Sequence, residues 1–278
     1  MGFSFSRAYS DAARMVRERF WPLLGILVLF FVLTIVIVLV FGASMLATIG
    51  DLASGAPDPA ALGAGFWTGY AVAYLLVYFV SLANMAAMVA AASPVRPPDL
   101  ADAIIDGFKS APSLFAALLM VIVGFCVVAV ALTLLVGTME SPALGTIVLI
   151  ALVVIGCVIA TKLSLVVPLV AVDGVRNPIT AIVRSWQLTT GSALKIFFAW
   201  FVFWAILIAV LMVVVFALAG SLAGGMSEGQ IPGAGTIVAL LVFYLVFVVA
   251  INLFISALIA AVHAQLVAPS GPVVEPLE

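Results

Sequence analysis

The sequence is short of charge. Of its 278 residues, 10 are Lys or Arg and 12 are Asp or Glu, 8% together, whereas 67% are hydrophobic. A water-soluble domain carries about 25% charged residues. So few charges cannot cover a water-facing globule of this size. The deficit excludes a soluble enzyme, a disordered chain and a nucleic-acid binder together. A net charge of −2 leaves no global basic field for nucleic acid. Cysteine is also scarce. Cys126 and Cys157 both lie in apolar runs and read as small packing residues rather than a disulfide framework or a metal motif. His263 is the single histidine, and no Cys pair or carboxylate cluster stands at metal-ligand spacing, so no cofactor is implied. What remains is a protein whose solvent is mostly lipid.

Long apolar runs are what the chain has in abundance. Six exceed the roughly 20 residues that a helix needs to cross a bilayer: approximately 23–49, 66–92, 113–137, 144–171, 194–219 and 236–262. They are too long for outer-membrane strands of about 10 residues. Only helices and closed barrels satisfy every backbone group in lipid. The expected fold is therefore an all-α, polytopic membrane helical bundle of six transmembrane helices. It should form a single membrane domain over 1–268, followed by a disordered, Pro-rich acidic tail at 269–278. The first run exceeds a 7–15-residue signal-peptide core and reads as an uncleaved anchor.

Basic residues set the orientation. Arg7, Arg14, Arg17 and Arg19 precede the first span, Arg96 and Lys109 follow the second, and Arg176, Arg184 and Lys195 surround the fourth-to-fifth connection. The loops on the other side carry only Asp51, Asp58, Glu140 and Glu228. By the positive-inside rule both termini are expected in the cytoplasm, which for a bacterial chain means an inner-membrane protein.

Each basic segment before a pair of spans has a helical apolar stripe. Residues 4–20 align Phe5, Ala8, Tyr9, Ala12, Val16 and Phe20; residues 98–110 align Leu100, Ala101, Ile104, Ile105 and Phe108; residues 178–190 align Ile179, Ile182, Val183 and Trp186. Asn177 with Pro178, and Pro97-Pro98, are start signals, and Gly191 is a left-handed stop. These predict three short cytoplasmic interfacial amphipathic helices and a threefold internal repeat of interfacial helix, span, outer loop, span. Pro98-x-x-Ala101 aligns with Pro178-x-x-Ala181, whereas Gly107-Phe108 meets Ser185-Trp186 only with a small offset. The expected headgroup contacts are Arg7, Arg14, Arg17, Arg19, Trp21, Arg184, Trp186 and Lys195, because basic and aromatic side chains favour an anionic interface.

The spans hold no carboxylate, which argues against ion-coupled transport and against aspartyl intramembrane proteolysis. Lys162 is the lone cation within a span; it either snorkels or faces a cavity with Thr161 and Ser164. Pro168 should kink the fourth span near Ser164 and free a carbonyl close to Lys162. Asn84 and Asn252 are mid-span amides that read as interhelical hydrogen-bonding groups or as solute contacts. His263 and Gln265 read as interface residues at the end of the last span. No base stands beside a nucleophile, so catalysis is not expected. Gly65-x-x-x-Gly69, the alanines at 83–91 and Gly220-x-x-x-Gly224 permit close helix packing, and a homo-oligomer or a membrane-protein partner fits them.

Residues 163–198 carry a more specific pattern: Asp173-Gly174, Pro178, Ala181, Ser185-Trp186, Leu188-Thr189 and Gly191. This resembles the membrane-domain family associated with glycerophosphodiester phosphodiesterases and related bacterial six-span proteins. The resemblance implies a bacterial inner-membrane domain. It does not imply phosphodiesterase activity, since members with that activity carry a fused catalytic barrel and no such segment follows the last span here. The sequence thus points to a non-enzymatic scaffold or lipid-interacting accessory protein whose partners are membrane lipids, anionic ones above all. The alternative is a transporter or channel for a small or amphipathic solute, with a cavity near Lys162 and the Pro168 kink.

Overall fold

A computed structural model describes residues 3–53, 64–95, 99–137, 141–226 and 234–267. Every regular element among them is a helix: α1 (Phe5–Glu18), α2 (Phe20–Ala53), α3 (Ala64–Ala92), α4 (Leu100–Gly137), α5 (Pro142–Leu163), α6 (Val166–Ala171), α7 (Pro178–Thr189), α8 (Ala193–Met226) and α9 (Ala234–Val267). Six runs are long and apolar enough to cross a membrane: α2, α3, α4, the α5–α6 pair, α8 and α9. The protein is an all-α polytopic bundle, and each expected span falls within one of these runs. The Pro97-Pro98 start signal, Arg96, Asp58, Glu140, Glu228 and the 269–278 tail lie outside the described residues.

Two of the three amphipathic segments are separate helices, α1 and α7. The second is not: residues 100–110 are the first turns of the 38-residue α4, which continues through Pro112 into the span. Between the second and third segments the difference lies in the stop signal. Gly191, at φ +88°, provides a left-handed residue between α7 and α8, and no glycine stands between Lys109 and Pro112 to end a helix there. Asn177 caps α7 as expected, its Oδ1 accepting from the Ile179 and Thr180 amides at 3.0 and 3.3 Å.

Tertiary structure fixes the repeat register. Each unit begins at a residue whose carbonyl accepts the first helical hydrogen bond: Ser4 from Ala8, Asp99 from Ala103, and Asn177 from Ala181, at 3.0, 2.9 and 3.0 Å. Four residues further on stand Ala12, Gly107 and Ser185, all buried. Ala103, not Ala101, is therefore the counterpart of Ala181. With that register the offset at Gly107-Phe108 and Ser185-Trp186 disappears.

The docking is cyclic. α1 packs on α9, the first turns of α4 pack on α3, and α7 packs on α5 and α6, so each unit leans on the second span of the unit before it and the first leans on the last. The three second spans (α3, α5–α6 and α9) also meet one another. The small pair in each leading helix makes this possible, because Ala, Gly and Ser let backbones approach. Bulky apolar residues on those helices face outward instead: Ile105 and Phe108 on α4, and Ile179, Val183 and Trp186 on α7 are all exposed. The apolar stripes are thus split between a small inward face and a large face left for lipid.

All buried side chains among the described residues lie in the half of the bundle nearer its basic end. Leu23, Ile26 and Phe30 of α2, residues 83–92 of α3, Leu165 and Leu169 beside the α5–α6 break, and residues 257–263 of α9 form this core. The far halves of the spans expose Leu, Val and Ile along their length, as an apolar solvent permits. Hydrogen bonds tie the basic end together. Arg19 donates from Nη1 to the Ala91 carbonyl at 2.6 Å, and the Tyr9 hydroxyl donates to the Ala199 carbonyl at 2.8 Å. Burial pushes the Tyr9 phenol up from its ordinary value.

Candidate functional site

The fourth span breaks where the sequence predicts. α5 ends at Leu163 and α6 begins at Val166, two residues ahead of Pro168. Proline has no N–H to give the Ser164 carbonyl four residues back, and its ring crowds that carbonyl, which weakens the ladder there; α4 carries Pro112 without such a break. The break is held by side chains. Ser164 Oγ donates back to the Thr161 carbonyl at 2.8 Å, and Ser185 Oγ of α7 donates to the Lys162 carbonyl at 2.7 Å. Thr189 Oγ1 adds a longer contact to the same carbonyl at 3.4 Å. α7 is thereby bonded to the break and not merely laid against it.

Lys162 is not among the residues that line the two clefts beside the break. Its ammonium reaches toward the basic end, where Nζ donates to Thr190 Oγ1 at 3.1 Å and stands 5.4 Å from the centre of the Trp186 ring. This is snorkelling with a fixed endpoint. Pro168 is buried in the core. Of the expected cavity residues, Ser164 lines a cleft of about 570 Å³. Asn84 and Asn252 line a separate cavity of about 150 Å³ with Thr34. They do not bond to each other: Asn252 Nδ2 donates to the Val248 carbonyl of its own helix at 2.8 Å, and Asn84 Oδ1 is buried without a partner among the described residues. The five expected cavity residues are therefore dispersed, not gathered.

Two apolar clefts flank the break. One of about 570 Å³ lies among α3, α5, α8 and α9, lined by Cys157, Ser164, Phe197, Trp200 and Trp204. Another of about 430 Å³ lies among α3, α4, α6 and α7, lined by Tyr78, Leu114, Leu118, Val166 and Ile182. Met85, Leu163 and Val167 belong to both. α8 and α9 meet through stacked Phe203 and Phe254 rings 6.0 Å apart. Sequence reading missed these clefts. Aromatic residues at 197–204 are visible in the chain, but an aromatic run in a span reads equally as lipid-facing surface.

The expected headgroup residues divide into two groups. Arg7, Arg14 and Arg17 project from the exposed side of α1, Trp21 is 77% exposed, and Trp186 and Lys195 are exposed. Arg19 and Arg184 are engaged with other parts of the protein: Arg19, partly buried, on Ala91 near the C-terminal end of α3 where a cation is favoured, and Arg184, still exposed, on Asp173 at 3.4 Å. Asp173 also faces His263, with Oδ1 and Nε2 3.5 Å apart, at the outer limit of hydrogen bonding. His263 is fully buried, which corrects its reading as an interface residue. Gln265 is likewise engaged, accepting from the Ser4 amide at 3.2 Å. The topology places residues 173 and 263 at the same end of two spans; that they touch depends on the cyclic packing, which periodicity does not reveal.

No group of three or more His, Cys, Asp or Glu residues capable of holding a metal occurs among the described residues. No family model matches the chain, and no curated protein or solved structure is significantly similar to it.

Proposed function

We propose that the chain is a non-enzymatic bacterial inner-membrane protein that acts as a scaffold or lipid-interacting accessory protein, with both termini in the cytoplasm. The observation that carries this reading is the pair of apolar clefts beside the α5–α6 break, whose walls are side chains suited to an acyl chain. The outward apolar faces of α4 and α7, and the arginines on the open side of α1, add a surface that suits an anionic membrane interface. The resemblance of residues 163–198 to a six-span membrane-domain family points to the same setting. A solute pathway past Lys162 has less support, because that side chain turns onto α7.

Lipid analysis of the purified chain tests this. Phosphatidylglycerol or cardiolipin should be enriched in the co-purified lipid relative to the source membrane. The enrichment should fall severalfold in R14Q/R17Q: Arg17 is worth about 1 kcal/mol near an anionic surface, and Arg14, paired with Asp11, less. Arg19 is left intact, since it bonds to α3. Co-purified lipid matching the bulk membrane in wild type and variant alike would overturn the reading. Orientation is checked in a cysteine-free background: a membrane-impermeant maleimide should label Ser141→Cys in intact cells and Arg17→Cys only after permeabilisation.

A further inference from the structure

We infer that the cavity among α2, α3 and α9 is a water site within the membrane, a small cluster of waters held by Thr34, Ser81, Asn84 and Asn252. This goes beyond the lipid-interacting reading and does not rest on it. The cavity is one of three equivalent places in the cyclic bundle. Each lies where a first span meets its own second span and the second span of the preceding unit: α4 with α5–α6 and α3, α8 with α9 and α5–α6, and α2 with α3 and α9. The first spans line them at one spacing, i, i+3, i+4 and i+7, from Leu114 to Val121, from Phe197 to Trp204 and from Leu27 to Thr34. Val121, Trp204 and Thr34 therefore hold the same position in the three units. The α4 and α8 clefts are roomy and mostly apolar. The α2 cavity is about 150 Å³, and four of its nine lining residues are polar, both mid-span amides among them.

These polar groups keep acceptors free. Thr34 Oγ1 donates to the Phe30 carbonyl at 2.9 Å, Ser81 Oγ to the Val77 carbonyl at 2.8 Å and Asn252 Nδ2 to the Val248 carbonyl at 2.8 Å. Each spends a hydrogen on its own helix, and its oxygen lone pairs remain for a ligand. Asn84 Oδ1 is buried without a partner among the described residues. A carbonyl left so costs about 1–3 kcal/mol. The terminal torsion of asparagine is broad, so a turn of the amide brings this oxygen to a ligand in the cavity.

Oxygen acceptors call for a ligand that donates. None of the described lining residues is ionisable, so a cation would stand there without a counter-charge, at high cost in an apolar surround. Water is neutral, donates two hydrogens and still accepts from the amide N–H groups. It needs about two to four polar partners and about 30 Å³ of liquid volume per molecule, and the cavity meets both needs. Phe30 and Val80 share this lining and belong to the packed core, so the site stands at the margin of the core, well inside the spans.

Thiol reactivity tests the site in the full chain, reconstituted in lipid nanodiscs and freed of its own cysteines by C126A/C157A. Single cysteines are placed at equivalent positions as T34C and V121C, both half-buried in the native chain. Methyl methanethiosulfonate is small, neutral and soluble in lipid as in water, so it enters both clefts, and it reacts only with a thiolate. Apolar surroundings raise a thiol pKa, and one unit means about tenfold less thiolate. T34C should react about tenfold faster than V121C, although the V121C cleft, at about 430 Å³, is the larger. T34C/N84L/N252L, which fills the cavity with apolar groups, should fall to the V121C rate. Should that variant lose its monodisperse fraction, T34C/N252L replaces it and should react severalfold more slowly than T34C. The site is overturned if T34C reacts no faster than V121C, as an acyl chain in the cavity would cause, or if the folded leucine variant keeps the T34C rate.

Discussion

Gly107→Ala is the sharpest probe of the packing described above. Gly107 lies on the third turn of α4, against α3. A Cβ placed there would stand 2.6 Å from the Ala83 carbonyl oxygen, 2.7 Å from the Ala87 Cβ and 3.1 Å from the Ala87 amide nitrogen. None of these atoms belongs to a flexible side chain, so α4 itself must move away, by about 1 Å to restore ordinary contact distances. Overpacking of this kind costs about 1–3 kcal/mol, occasionally more. Alanine returns up to about 1 kcal/mol of helix propensity. The balance is a net loss of about 1–2 kcal/mol, with a lower melting midpoint. Gly124→Ala is the matched control: it lies in the same helix, and nothing stands within 4 Å of its added Cβ. That substitution should be neutral or slightly stabilising. Both are measured by thermal unfolding of the detergent-solubilised chain, followed by size-exclusion of the surviving monodisperse fraction. Equal midpoints for the two variants would refute the close α3–α4 contact, and with it the equivalence of Gly107 to Ala12 and Ser185.

Two further outcomes follow from the basic end. Ser185→Ala removes the 2.7 Å hydrogen bond to the Lys162 carbonyl and should cost about 1 kcal/mol of stability. In a double-mutant cycle with Pro168→Ala the two losses should be less than additive, because a continuous fourth span would no longer need α7 to hold its break. Asp173→Asn takes the charge from a mostly buried carboxylate that faces both Arg184 and His263. Its effect on the melting midpoint should clearly exceed that of Asp11→Asn, whose partner Arg14 is largely exposed and whose ion pair is worth at most about 1 kcal/mol; equal shifts would mean that the Asp173 cluster contributes no more than a surface pair.

Much of this protein can be read from one dimension. Scarcity of charge and runs of more than 24 apolar residues determine six membrane-crossing helices, because lipid leaves the backbone no other way to satisfy its hydrogen bonds. Pro168 marks the break in the fourth span, although Pro112 sits inside an unbroken α4, and Asn177 and Gly191 determine where α7 starts and stops through their own local backbone chemistry. The repeat is visible in the chain, but its register is not: alanine is so common that Ala101 and Ala103 serve equally until packing shows which one is buried. In a membrane, moreover, apolar residues face both protein and lipid, so a stripe does not announce which side packs. Tertiary structure decided that Ala8, Ala103 and Ala181 face inward while Trp186 and Ile179 face outward, that Arg19 bonds to α3 and Arg184 pairs with Asp173, and that the buried His263 meets Asp173. It also placed the Lys162 ammonium beside Thr190 and over the Trp186 ring, because the neighbours that fix its direction come from more than twenty residues further along the chain.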